Sequence, residues 1–208
     1  MKNKFIDLSQ TFVNNMPVFP GDIEPILKQT KSIKSDGYTN YQLTTSMHVG
    51  THIDAPFHML ENGAKHFELS LDKFCGKAKL IDVRNEKNIS AKLLKNITLE
   101  KDDIVLVLTG HYKKWNKPSY FESYPLITED FAQALIESEI KILGLDTPSP
   151  DTPPFSIHKL LFKNNILIIE NLTNLEELLD YENFEVYAFP PKFETDSSPV
   201  RVVAKINL

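Results

Sequence analysis

The 208 residues suffice for one substantial core, and 41% hydrophobic against 25% charged residues is ordinary for a globular chain, which excludes disorder. With 28 acidic and 23 basic side chains the net charge is -5, and no Lys/Arg run could track phosphates, which excludes nucleic acid as an expected partner. No aliphatic run approaches the length of a membrane span, and the single Cys75 cannot form an intrachain disulfide. The expected location is the cytoplasm, because Asp7 interrupts Met1-Lys-Asn-Lys4-Phe-Ile6 before an apolar signal core forms and a lone cysteine fits a reducing compartment.

In chain order, Phe5–Leu8 reads as a short strand and Asn15-Met-Pro-Val-Phe-Pro-Gly-Asp22 as a rigid loop, able to present Phe19 to a pocket or simply to pack it. A polar connection, 31–40, turns at Asp36-Gly37 into a strand, Tyr41–Ser46, that delivers His48. His66 reads as a surface residue or as support for a neighbouring site. Lys79–Val83 and Ile104–Leu108 are strands, the second so uniformly apolar that both its faces are expected to be buried, with a short helix from Ser90 to Asn96 between them. His111 and Trp115 follow in a loop, as pocket residues or solvated ones.

Thr128–Glu139 is an amphipathic helix with a capping threonine and acids in its first turn. Ile140–Leu145 is a strand, Asp146–Asp151 a proline-rich loop, Ser156–Phe162 a helix and Ile166–Ile169 a strand. Thr173-Asn-Leu-Glu176 is a capping box opening a helix to about Asp180, and Phe184–Phe189 and Val200–Ile206 are the last strands. This alternation is the rhythm of an α/β fold in one domain, 1–208, with no repeat or linker.

The densest chemistry lies in His48-Val-Gly-Thr-His52-Ile-Asp54-Ala-Pro-Phe-His58. Imidazole nitrogen and carboxylate oxygen suit borderline divalent metals such as zinc. All four groups stand at even positions, so an extended chain places them on one face, yet a straight strand leaves His48 roughly 13 Å from His52. Gly50 and Pro56 argue against a helix and for a bent strand or loop that aims the groups into one cavity. A single histidine on a half-buried strand is usually structural; four potential ligands of one parity favour a metal site. His158 near a helix start and Glu170 at a strand end stand where α/β folds hold ligands, though each also reads as an ordinary exposed histidine or strand-ending acid.

The motif resembles the His-x-Gly-Thr-His-x-Asp-x-Pro-x-His signature of the cyclase family of metal-dependent hydrolases, which includes bacterial kynurenine formamidases. Pro17-Val-Phe-Pro-Gly-Asp22, Thr109-Gly110, Gly144-Leu-Asp-Thr-Pro-Ser149, Ile169-Glu-Asn-Leu172 and Ser198-Pro-Val-Arg201 extend the resemblance over nearly the whole chain. It implies a single α/β domain of the swivelling β/β/α type with a mixed sheet, in a homodimer or larger homo-oligomer. It also implies metal ligands at His48, His52, Asp54, His158 and Glu170, holding two Zn2+ per subunit or, with the same donors, Mn2+, and His58 as the proton carrier. The expected reaction is metal-hydroxide attack on a small amide, with N-formylkynurenine as the substrate and Phe19 against its ring.

In the formamidases a tryptophan occupies the place of Phe19, and a phenyl ring stacks with less area and no indole N–H. That departure keeps open a same-fold hydrolase of another small amide, an isatin-like lactam or an ester. A non-catalytic metal-binding module is the alternative from another class.

Overall fold

The computed structural model describes residues 3–207. Met1 and Lys2, from the charged start read above, and Leu208 lie outside the described residues. The strands are β1 (Asn3–Asp7), β2 (Ile26–Lys31), β3 (Asn40–Thr44), β4 (His52–Asp54), β5 (Cys75–Asp82), β6 (Asn88–Ile89), β7 (Ile104–Leu108), β8 (Leu126–Ile127), β9 (Ile142–Leu145), β10 (Leu167–Glu170), β11 (Phe184–Tyr187), β12 (Ser197–Pro199) and β13 (Val203–Asn207). The α-helices are α1 (Ile33–Asp36), α2 (Glu129–Glu137) and α3 (Ser156–Lys163).

Nine strands form one mixed sheet in the order β1-β13-β11-β5-β7-β9-β10-β4-β12. The middle, β5-β7-β9-β10, is parallel, and the ladders toward both ends are antiparallel. This bears out the mixed α/β class. The run Ile-Val-Leu-Val-Leu becomes β7, and all five of its residues are buried. Ile104, Leu106 and Leu108 face one core with Ile53, Ile169 and Val186, while Val105 and Val107 face a second core with Phe131 of α2 and Leu161 of α3. Strand alternation thus divides one apolar segment between two cores.

The sheet curls. Beyond β1 the chain crosses toward the far strands, pairing Ser9 with Leu172 and donating Gln10 N–H to Thr51 Oγ1 at 2.8 Å. This brings the N-terminal loop that carries Phe19 over the end of the sheet where β4 and β10 meet.

Three local expectations are corrected. Thr128 does not cap α2 with its side chain; Oγ1 donates instead to Ile89 O at 2.8 Å, and the first-turn acids Glu129 and Asp130 complement the helix N-terminus. The helix expected from Thr173 is a single 3-10 turn, Leu175–Leu178, because Asn174 adopts a left-handed φ of 55° and its amide donates to Asp7 O. The connection expected at 31–40 holds α1 and joins two strands, β2 and β3, so β2 was not legible; β3 ends at Thr44 and does not itself deliver His48. No helix among the described residues is long and apolar enough to cross a membrane.

Candidate metal centre

His52 and Asp54 are the ends of β4 and share one face, with Ile53 turned to the core. Their side chains are 2% and 1% exposed. Even-number parity holds only for this pair. His48 lies in a bend, where Gly50 has φ +69°, a backbone conformation that selects glycine. The bend returns His48 to the strand end, Nδ1 3.1 Å from Asp54 Oδ1. Pro56 opens a 3-10 turn, Pro56–His58, that brings the His58 ring beside His48 with centroids 4.1 Å apart.

Glu170 ends β10 directly opposite His52 in the antiparallel ladder. Its Oε2 is 3.2 Å from His52 Nε2, and its Oε1 is 3.3 Å from Nε2 of His158 in the first turn of α3. All six residues therefore converge in the order His58, His48, Asp54, His52, Glu170, His158. Phe19 stands apart at the rim, 37% exposed and edge-to-face with Phe121 at 5.7 Å. Between rim and cluster is a cavity of roughly 220 Å³, walled by Phe19, Phe121, Phe155, Met59 and Pro17 and floored by the histidines and Glu170.

The donor set fits divalent cations. His52 Nδ1 donates to Gly50 O at 2.9 Å and His158 Nδ1 to Asp151 at 2.6 Å, so Nε2 of each ring faces Glu170 and is the nitrogen that a cation could take in place of a proton. His52 Nε2 and both oxygens of Asp54 are buried without a hydrogen-bond partner, although imidazole nitrogens lie close by. Unpartnered buried donors and acceptors of this kind cost stability unless something charged completes them. Among the described residues, two sets of groups are close enough for an ion, His48-Asp54-His58 and His52-Asp54-Glu170, with Asp54 common to both.

Electrostatics point the same way. Burial disfavours a charged His48, but Asp54 and Asp196 prevail and push it up to about 11. His158 rises against burial to about 9 through Asp151 and Glu170, and His52 is raised by Asp54 and Glu170 despite complete burial. Conversely, the surrounding imidazoles hold the Asp54 carboxyl well below its usual range although burial opposes this. Two buried carboxylates thus demand positive charge, supplied either by protons on the imidazoles or by cations that displace them.

A family model described as "Putative cyclase" matches residues 6–152. The chain belongs to the cyclase family. It is 35% identical over 208 residues to the kynurenine formamidase of Bacillus mycoides (strain KBAB4), covering 98% of each chain. A solved structure described as a predicted metal-dependent hydrolase from Bacillus stearothermophilus is 26% identical, with a TM-score of 0.80 over 99% of each chain. Isatin hydrolase A from Labrenzia aggregata, 22% identical, matches in fold with a TM-score of 0.89 over 99% of this chain and 94% of that one.

Around the cyclase-family motif stand residues that were not among the expected site residues. Asp196 Oδ2 lies 2.9 Å from His48 Nε2 and 3.2 Å from His58 Nδ1, and these contacts hold its carboxyl far below the ordinary range. Asp151 accepts from Ile157 N–H at 2.6 Å and from the His158 ring, capping α3 and orienting a candidate ligand together. An acid shortly before a predicted helix is the signal that could have found it. Asn171 donates to Gly50 O at 2.9 Å and accepts the Tyr120 hydroxyl at 2.7 Å. We expect Asp151→Ala to weaken divalent-metal affinity by roughly 10- to 100-fold, read by titration with a competing chelator.

His66 is buried and donates Nε2–H to Ile53 O at 2.8 Å; it braces β4 and does not lie at the surface. His111 is also buried, donating to Tyr120 O at 2.6 Å, so the solvated-loop reading does not hold. Trp115 packs edge-to-face on Tyr120 at 4.9 Å and is not among the residues lining the cavity.

Proposed function

We propose that this protein is an arylformamidase that hydrolyses N-formylkynurenine to kynurenine and formate. The observation that carries this is the convergence of six histidine and carboxylate side chains beneath an aromatic-walled cavity, in a chain alignable along 98% of its length with kynurenine formamidases. In the reaction the oxygen of water joins the formyl carbon as the C–N bond breaks, and a proton reaches the departing aniline nitrogen.

His48, His52, Asp54, His158 and Glu170 would hold the metal, two Zn2+ per subunit, with Mn2+ suited by the same donors. When bound, metal supplies a water acidified to near neutrality and a positive pole for the carbonyl oxygen. His58 lines the cavity and keeps Nδ1 on Asp196, which leaves Nε2 to carry the proton to the leaving nitrogen. Phe19 and Phe121 present ring edges and faces at the cavity mouth, suited to an aromatic leaving group. The low polarity of these walls excludes water from the amide once a ring is seated.

Support for one functional domain, 1–208, comes from the single sheet that unites both ends of the chain. Family resemblance supports a homodimer or larger homo-oligomer, and composition supports a cytoplasmic location.

The test is metal analysis combined with turnover of N-formylkynurenine, formanilide, isatin and an aryl ester, before and after chelation. We expect formylkynurenine to be the best substrate, with activity abolished by chelator and restored by divalent metal. Preference for isatin would establish the lactam reading suggested by Phe19, and bound metal without turnover of any compound would establish a non-catalytic module.

A further inference from the structure

Asp196 lies far along the chain from the motif, in a segment outside the residues matched by the family model, yet it touches two of the motif's histidines. One carboxylate oxygen, Oδ2, faces His48 Nε2 at 2.9 Å and His58 Nδ1 at 3.2 Å. We infer that Asp196 is the positioning residue of this site, fixing the ring orientation and tautomer of His48 and His58 simultaneously. This rests on the proposed amide hydrolysis, since that reaction gives His58 its task.

The geometry makes the carboxylate a fixed point. Asp196 immediately precedes β12, whose Ser197 pairs with Asp54 of β4, and its own carbonyl accepts Ala55 N–H at 2.8 Å. The backbone on both sides of the contact is thus locked into the strand that carries the candidate ligands. Ser197 Oγ adds a bond to Ile53 O at 3.0 Å. An anionic oxygen accepts from ring N–H groups and cannot donate. His58 therefore carries a proton on Nδ1 and turns Nε2 to the cavity, and His48 carries a proton on Nε2 with its Nδ1 facing Asp54 at 3.1 Å.

The His48 and His58 rings also approach to 4.1 Å between centroids, tilted by 39°, so the shared acceptor holds two imidazoles side by side. Without Asp196, His58 can rotate or adopt the other tautomer, and its proton then lies on the wrong nitrogen at the moment the amine departs. An aniline needs that proton to leave, whereas an acidic phenol leaves as its anion without one. Loss of positioning must therefore slow amides selectively.

The experiment compares the wild type with Asp196→Ala and Asp196→Asn at saturating divalent metal, using N-formylkynurenine and a formate ester of an acidic phenol. For Asp196→Ala we expect kcat on the amide to fall roughly 10- to 100-fold with KM within about twofold, while the ester slows less than about threefold. Asp196→Asn keeps the volume and one accepting oxygen and should fall between. The double variant with His58→Ala should be no slower on the amide than His58→Ala alone, because both changes remove one proton transfer.

Nitrogen-15 correlation spectra of the histidine rings should show Nδ1–H at His58 in the wild type and its loss in Asp196→Ala. Equal slowing of amide and ester, an unchanged amide rate, or an unchanged His58 tautomer overturns the inference. A wild type that cleaves no amide refutes the proposed function instead, while the tautomer measurement still decides the role of Asp196.

Discussion

Asp54→Asn should reduce bound metal to background and turnover by more than about 1000-fold, since metal contributes several kcal/mol to transition-state stabilisation and each 1.4 kcal/mol is tenfold in rate. Asp54 is singled out because it belongs to both groups of side chains able to hold an ion. Its oxygens are buried without hydrogen-bond partners, with His48 Nδ1 at 3.1 Å and His52 Nε2 at 3.6 Å from the same atom. Asparagine keeps the shape but presents only one neutral oxygen, and its amide hydrogens would face ring nitrogens that must remain bare. Metal analysis is the direct check, and full occupancy in Asp54→Asn would remove it from the ligand set.

His58→Ala should behave differently, with turnover down roughly 100-fold or more and metal retained. Distance alone leaves two roles available, because His58 also falls within ion-binding reach of His48 and Asp54. The proposed role is the proton carrier's: His58 keeps Nδ1 on Asp196 and lines the cavity with its side chain 23% exposed, leaving Nε2 for substrate. A proton carrier must meet substrate, and a ligand need not. Metal analysis of His58→Ala beside its kinetics decides the matter: loss of metal would make His58 a ligand.

Much of this was legible because the signals were local. Five aliphatic residues in a row announced the doubly buried β7, and the spacing of His48, His52, Asp54 and His58 announced a common site, since Gly50 and Pro56 punctuate the segment where the chain must bend. The manner of bending was not legible. Parity suggested four groups on one strand face, but His48 reaches Asp54 from a bend and His58 from a 3-10 turn. His158 and Glu170 were suggested by their places at a helix start and a strand end, and only tertiary structure places their side chains 3.3 Å apart. Asp196 carries no local mark at all, because its histidine partners lie more than a hundred positions away. Capping signals misled where a tertiary bond was stronger, as when Thr128 turned to Ile89 and Asn174 to Asp7.

Strand β4 is only three residues long, and it lies between β10 and β12. During synthesis it must therefore wait for both neighbours, the second of which follows Asp196, 138 positions beyond His58. Pairings between segments so distant form slowly, because chain entropy is lost before contacts compensate for it. The nascent chain carries its most reactive imidazoles and carboxylates long before a pocket exists to shelter them. Cations held by the proposed ligands would act as a clasp between His48–Asp54 and the distant His158 and Glu170, so the site could become reactive only when folding is nearly complete.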